Sequence, residues 1–529
     1  MSSVPLSSTS GLAHSQFIQL LGAALPYLPA LLVGAWALSC FYSIFLHPLR
    51  NIPGPFLAKF TEAWRTYKYA RGKWHEDVLT LHRKYGRVVR VSPNEVSIVD
   101  KEGIRRVFGH GTGTKKTTWY NTWQVPGIGA SFFHSTEPAE HSFLRKRVSA
   151  AFSMSTVLSL EPEIQEVQDA VWAQLDDAAR SGRQVDMHEW ASYFAFDVVG
   201  KLALGAPIGF VKQATDVMDI IKSIHIGFYQ MANMGYIPGQ MFWINNHISK
   251  FILSLFATDF GKFHKWNSDQ LAKRLAEPAE EKATRKRDML DHFISMKEPD
   301  GSPATQGSIL IEGGNIIGAG ADTTSIGIRT VLAQLVLHPE DYLHVQQEVD
   351  HAYAQRPAEG TGRGLQYLAT EKLPYLTACV KEALRLHPSI LWQLPREAPA
   401  EGIDIAGHYI APSATISMSP LAQNRDRGVF GASADEWRPA RWIPGQGSTD
   451  SEIKEMDKYN VTFGYGPRVC VGKNLATVEI HKFIADFVHR YNACFINPYR
   501  PYVVKSQWFS YQADMFLKLE LRDTVSKQA

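Results

Sequence analysis

The sequence predicts a mainly α-helical domain with a minor β-sheet, an α+β arrangement dominated by helix, preceded by one N-terminal transmembrane helix. Three observations carry this prediction. Residues 1–49 hold no Asp, Glu, Lys or Arg, and 17–46 is almost wholly apolar, broken by Gln19, a few Ser and Tyr, Pro26 and Pro29. Later runs at 161–175, 185–204, 309–337, 375–386 and 474–491 repeat apolar residues at three- and four-residue spacing, the period of an amphipathic helix. Residues 87–99 alternate apolar and polar side chains around Ser92-Pro93-Asn94, as a hairpin does.

Taken in order, the N-terminal run is long enough for a bilayer, which needs about 20 apolar residues. A secretory signal would need a shorter run, a basic start and a small-residue cleavage site. Arg50, Lys59, Arg65, Lys68, Arg71 and Lys73 follow, against the single acid Glu62. The positive-inside rule then places the remainder on the cytosolic face. Between anchor and domain, Asn51-Ile52-Pro53-Gly54-Pro55 cannot continue a helix and forms a stiff extended linker. The division is a membrane anchor over 1–48 and a catalytic domain over 49–529. Segments 276–307 and 356–364, rich in charge, Pro and Gly, are expected to be solvated connections.

With 529 residues, 45% hydrophobic and 20% charged, the chain has an ordinary globular composition, which excludes collagen-like and wholly disordered classes. Its 55 Lys+Arg and 52 Asp+Glu leave a net charge of +3, too even for a protein that binds nucleic acid through phosphates. Two glycine-rich stretches imitate ligand loops. Gly109 to Thr117 lacks the glycine that must precede the lysine of a phosphate-cradling loop, and Gly127-Ile128-Gly129 lacks both a preceding strand and a third glycine. Cys40, Cys379, Cys470 and Cys494 are too scattered for a disulfide framework and form no C-x-x-C pair for zinc.

Cys470 sits in Phe463-Gly464-Tyr465-Gly466-Pro467-Arg468-Val469-Cys470-Val471-Gly472, immediately before a helical run. A helix N-terminus favours thiolate, and glycines let a backbone approach a flat ligand, but composition alone favours a buried free cysteine in a glycine-rich turn. This segment resembles the haem-thiolate signature of the cytochrome P450 family, with Phe463, Gly466, Arg468, Cys470 and Gly472 in place. The resemblance covers the chain from about Leu49 onward and implies a P450-type fold. It implies that Cys470 is the axial ligand of a haem b iron and that Arg468 pairs with a propionate.

Other family marks follow in order. Glu382 and Arg385, with Arg441, resemble the family's buried Glu-Arg-Arg cluster, a scaffold for the haem loop. Ala319-Gly320-Ala321-Asp322-Thr323-Thr324 resembles its oxygen-site notch, in which the Thr323 hydroxyl bonds back to Ala319, one turn earlier, and acts at the oxygen site. Asp322 then gates protons arriving through water. His141 and Arg145 stand where relatives carry W-x-x-x-R, with His in place of Trp; with Arg396 they are further propionate candidates. Asn424 departs from the family by replacing a common His. The wording of 127–133 and 140–153 is similar to that of filamentous-fungal members related to pisatin demethylase, which implies secondary metabolism.

The resemblance implies a monooxygenase in the endoplasmic reticulum membrane that oxidises a hydrophobic small molecule. Its electrons come from NADPH through a separate NADPH-cytochrome reductase, with cytochrome b5 as a second donor, since the chain carries no complete flavin or nicotinamide signature. Lys146 and Arg147 are expected on a basic docking face for that reductase. Substrate contacts are expected from 119–133, 224–243, 316–319, 390–394 and 508–509, and peripheral membrane contact from 228–243. A haem-thiolate isomerase or dehydratase working without O2, and a non-catalytic haem sensor, are the competing functions.

Overall fold

The computed structural model describes residues 25–124, 129–237, 239–246, 260–356 and 364–523. The first part of the apolar run, residues 17–24, therefore lies outside the described residues. Within them, Leu28–Phe41 is α-helical and continues through a wider turn at Tyr42–Leu46. Together Leu28–Leu46 is long and apolar enough to cross a membrane, and almost none of it is buried against the rest of the chain. The proline linker docks on the domain. Pro53 O accepts from Arg90 N at 2.7 Å, and a Cβ on Gly54 would collide with the Arg90 carbonyl, so only glycine allows this approach.

The predicted hairpin forms from Val88–Ser92 and Glu95–Ile98, antiparallel with Arg90 opposite Val96. Its second strand pairs parallel with Thr415–Ser417, which pairs antiparallel with Arg396–Glu397. Arg396 thus reaches the interior from a sheet edge. Among the described residues, three smaller sheets complete the strand content.

Helix dominates, as the periodicity predicts. The Gln306–Leu337 helix begins at Thr305, whose hydroxyl accepts from Ser308 N at 3.1 Å. It packs on Met187–Leu204, Pro374–Leu386 and Lys473–Arg490. The last contact is close because Gly327 carries no Cβ: one there would lie 2.7 Å from Ile480 Cδ1. The Glu161–Ser181 helix runs beyond the predicted residue 175 because its Ala- and Arg-rich end still favours helix until Gly182, in left-handed conformation, stops it. At 185 the prediction is corrected. Val185–Asp186 is a strand paired with Phe516 and Leu517, and the Asp186 carboxylate then caps the helix by accepting from His188 N at 2.9 Å. Likewise Tyr491 opens a strand, Tyr491–Phe495, instead of closing a helix.

The expected solvated connection over 276–307 is also corrected. It contains the helices Ala279–Thr284 and Met289–Ile294, and Met289, Leu290 and Phe293 are buried. Its charges neutralise one another: Arg274 binds Asp288 at 2.7 Å and Arg285 binds Asp291 at 2.8 Å. Of the second connection, 357–363 lies outside the described residues.

Candidate active site

The cysteine loop joins Asp450–Tyr459 to Lys473–Arg490. Cys470 N donates to Phe463 O at 2.7 Å, closing the loop on itself. Gly466 has φ 65°, and a Cβ there would strike the Phe108 carbonyl, so this position demands glycine. Gly472 does not: at φ −82° a Cβ would rest 3.9 Å from Cys470 Sγ. The Cys470 side chain is accessible. Burial by the surrounding protein pushes its thiol up, while the amides of Gly472 and Lys473 and the charges of Arg145 and Lys473 pull it down.

Beside the loop lies a cavity of about 580 Å³, lined in part by Arg145, Arg396, Arg468 and His141. His141 and Arg145 come from Pro138–Ser149, one turn apart, and Arg396 from the sheet edge. Arg396 Nη1 donates to Tyr120 Oη at 2.9 Å, and Arg468 Nη1 to Ser135 O at 3.3 Å. Among the described residues no carboxylate lines this cavity. The electrostatic consequence is clear: burial and the neighbouring cations push His141 down to about 3 and Arg468 down to about 10.

Lys116 is a fourth cation, which sequence reasoning missed because its Gly-Thr-rich neighbourhood looked like a failed phosphate loop. It is buried, held by the carbonyls of Phe132 and Phe133, and burial together with Arg396, Arg468 and Arg145 drives its ammonium far below the ordinary lysine range. Gly109, Gly111, Thr112, Gly113 and Thr114 of the same stretch line the cavity. A reading keyed to charge density, not to the glycines, would have found it.

On the Gln306–Leu337 helix, Thr323 Oγ1 donates to Ala319 O at 2.7 Å, the back-bond its spacing predicts. Ala319, Gly320 and Thr323 are accessible on a helix otherwise mostly buried. Asp322 faces away from them, fully buried, with Oδ1 2.9 Å from His225 Nε2 and Oδ2 without a partner among the described residues.

Glu382, Arg385 and Arg441 meet as predicted. Glu382 accepts from Arg385 Nε at 2.8 Å, Arg441 Nε at 2.9 Å and Trp442 Nε1 at 2.9 Å, all buried. Burial raises this carboxyl, but Arg385 and Arg441 outweigh it and hold it below the usual range. Asn424, read from sequence only as a departure, stitches this cluster to the cysteine loop. Its carbonyl accepts from Arg385 at 2.8 Å, its Oδ1 from Val461 N at 2.8 Å, and its Nδ2 donates to Thr462 Oγ1 at 3.0 Å.

Many of the expected substrate contacts converge. Trp123 lies 5.2 Å from Phe133, 5.2 Å from Phe228 and 4.8 Å from Trp508 between ring centroids, and Phe228 lies 5.6 Å from Phe509. Trp392 reaches the same cluster edge-on, 6.1 Å from Trp508, while its face stacks on Tyr69 at 4.1 Å. Residues 125–128 and 238, also expected there, lie outside the described residues. Arg147 is a correction. Only Lys146 is exposed; Arg147 turns inward, 3.3 Å from both Glu298 and Glu312, and offers nothing to a docking partner.

A cytochrome P450 family model matches residues 53–500. The chain belongs to the cytochrome P450 family. It is 29% identical to the cytochrome P450 monooxygenase gsfF of Penicillium aethiopicum, covering 90% of this chain and 94% of that protein. It is 31% identical to cicH of Emericella nidulans, over 90% and 95% of the two chains, and 27% identical to pisatin demethylase of Fusarium vanettenii, over 89% and 90%. The enzyme is a P450-type monooxygenase, and the family implies haem iron, a redox partner and hydrophobic substrates. The residues present fit that group: among the described residues Arg145, Arg396 and Arg468 line the cavity without a carboxylate, as propionates require, Lys116 lies within reach of their charges, and an exposed cysteine stands at a helix start in the adjoining loop.

Proposed function

We propose that this P450 receives electrons from NADPH through a separate reductase, with cytochrome b5 as a second donor, and inserts one atom of O2 into an apolar small molecule of fungal secondary metabolism. The observation that carries the reading is the acid-free cluster of Lys116, Arg145, Arg396 and Arg468 beside Cys470. Haem b, when bound there, supplies the oxygen-activating chemistry. Cys470 would hold its iron through sulfur, and Arg145, Arg396 and Arg468 would hold its propionates. His141, held low by burial and by Arg468, Lys116, Arg145 and Arg396, would add a hydrogen-bonding group to the same wall. Phe463, Gly466 and Gly472 shape the loop, and the Glu382 cluster holds it in place.

The chain's own residues manage protons and water. Thr323 presents a hydroxyl on the accessible stripe, its oxygen oriented by the bond to Ala319. Asp322, one residue away on the buried side of the helix and in contact with His225, gates protons arriving through water. The ring cluster of Trp123, Phe133, Phe228, Trp508 and Phe509 excludes water and suits a terpenoid, polyketide or alkaloid scaffold. Residues 1–48 form a single-pass anchor in the endoplasmic reticulum membrane, with 49–529 as the catalytic domain on the cytosolic face.

The ferrous, carbon monoxide-bound Soret band tests the ligand. Cys470→Ala should abolish the red-shifted band of thiolate ligation, and Cys379→Ala and Cys494→Ala should keep it. Its survival in Cys470→Ala would overturn the assignment. Product formation without NADPH would favour the isomerase reading.

A further inference from the structure

Aromatic rings run in unbroken contact from the cation cluster towards solvent. At the inner end Tyr120 Oη accepts from Arg396 Nη1 at 2.9 Å, which places its ring behind the wall that Arg396 lines. Between ring centroids, Trp119 lies 4.8 Å from Tyr120, Trp508 5.5 Å from Trp119, Trp392 6.1 Å from Trp508 and Tyr229 6.5 Å from Trp392. Each step is within ordinary ring contact. The three indoles are buried, and Tyr229, at the outer end, is half-buried.

Packing alone does not account for indoles at these places. Trp392 Nε1 is fully buried and has no hydrogen-bond partner among the described residues, a cost that phenylalanine would avoid. An indole, unlike a phenyl ring, gives up one electron readily. With no base beside it, it then keeps its proton, so the hole stays free to move on. Trp119 Nε1 meets the Ala232 carbonyl at 2.9 Å, which is too weak a base to take that proton. Phenols behave differently, because losing an electron expels their proton. Tyr236, 5.8 Å from Trp119, and Tyr69, 5.5 Å beyond it, form a side branch in which burial pushes both phenols up and so opposes oxidation. Tyr229 is partly open, and water there takes the proton that the buried phenols retain.

We propose that Trp119, Trp508 and Trp392 carry oxidising equivalents from the haem edge out to Tyr229 when no substrate is in place, and that a soluble one-electron reductant of the ascorbate class ends them there. In each transfer one electron moves inward along the indoles, Tyr229 supplies the last electron, and its phenol proton enters water. The reductant then returns one electron and one proton to the Tyr229 oxygen. Over two transfers, two electrons and two protons from two molecules of reductant turn one hydrogen peroxide into two waters. This rests on the reading of Arg396 as a propionate partner, and it gives the empty enzyme a way to spare its own haem.

The test uses the substrate-free, detergent-solubilised full chain, mixed with hydrogen peroxide and rapidly frozen. Electron paramagnetic resonance reads the radical, and peptide mass spectrometry reads the residues that gain oxygen or cross-link. The parent should show a tyrosyl radical and oxidation at Tyr229. Tyr229→Phe should lose the tyrosyl signal and show an indole radical instead, with oxidation moved to Trp392. Trp392→Phe should also lose it, with oxidation held at Trp508 and Trp119; if that variant does not load haem, Tyr229→Phe carries the test alone. Ascorbate should erase the parent radical and slow bleaching of the Soret band, and should not slow bleaching in Tyr229→Phe. No radical in the parent, a tyrosyl signal undiminished in Tyr229→Phe, oxidation confined to residues outside the column, or equal protection of parent and variant by ascorbate would each overturn the proposal. The carbon monoxide band is recorded first. Its absence would end the haem reading and this proposal with it, whereas failure at Tyr229 with the band present would end this proposal alone.

Discussion

Glu312 is 2% exposed, and burial pushes its carboxyl up to about 7, although Asn315 and Arg147 pull it down. A carboxyl raised in the folded state contributes stability that is complete below its unfolded value, 4.5, and lost as pH rises through about 7. At 1.36 kcal/mol per pH unit the interval amounts to about 3 kcal/mol. Glu312→Gln removes the titration. Relative to the parent, the variant should gain stability between pH 5 and pH 8, on the order of 3 kcal/mol, read from paired denaturant unfolding curves. A difference independent of pH would mean that water reaches the carboxyl. The neighbouring residues show where sequence reading stops at this scale. Lys146 and Arg147 read as one basic patch, yet successive helical residues point about 100° apart, so one is exposed and the other meets Glu298 and Glu312. Charge in a sequence carries no direction until the face of the helix is known.

The Gln306–Leu337 helix was legible over 309–337 because its apolar period persists, though its start at the Thr305 cap was not read, and the Thr323 back-bond followed from four-residue spacing. The strands at Val185–Asp186 and Tyr491–Phe495 were not, since each is fixed by pairing with Phe516–Leu521, a partner distant in sequence. Lys116 was hidden for a related reason: its cationic neighbours Arg145, Arg396 and Arg468 come from three other elements. What the long helix does chemically rests on its notch. Thr323→Ala should keep the carbon monoxide band, because Cys470 is untouched, while NADPH consumption becomes uncoupled and yields hydrogen peroxide in place of product. Asp322→Asn should instead slow turnover with coupling preserved, since the carboxylate that faces His225 becomes an amide. Peroxide assay against NADPH consumed separates the two. Full coupling in Thr323→Ala would confine the hydroxyl to helix geometry.

Across the whole molecule, the N-terminal apolar helix is joined to the rest of the chain more firmly than a flexible tether would be. Ser43, within the apolar span, is buried, and its hydroxyl donates to the Lys59 carbonyl. Arg90, fully buried in the hairpin, reaches Ser43 Oγ at 3.0 Å, Ser43 O at 3.3 Å, Leu49 O at 3.4 Å and Pro93 O at 2.7 Å. Burial pushes this guanidinium down to about 10, so each carbonyl that solvates it matters. Deleting residues 1–46 removes two of those acceptors; deleting 1–41 keeps them. Both truncations should release a haem-loaded protein from alkali-washed membranes, because Leu28–Phe41 is gone in each. Exposed Phe242 and Trp243 leave room for peripheral binding that alkali removes. The shorter protein should be the less stable by about 1–3 kcal/mol, the cost of leaving a buried charged donor short of partners. Substituting Arg90 by Leu should erase that difference, since the penalty then has no donor to act on. Equal stability of the two truncations with Arg90 present would show that water replaces Ser43, and alkali-resistant retention of either would show a second membrane-embedded segment.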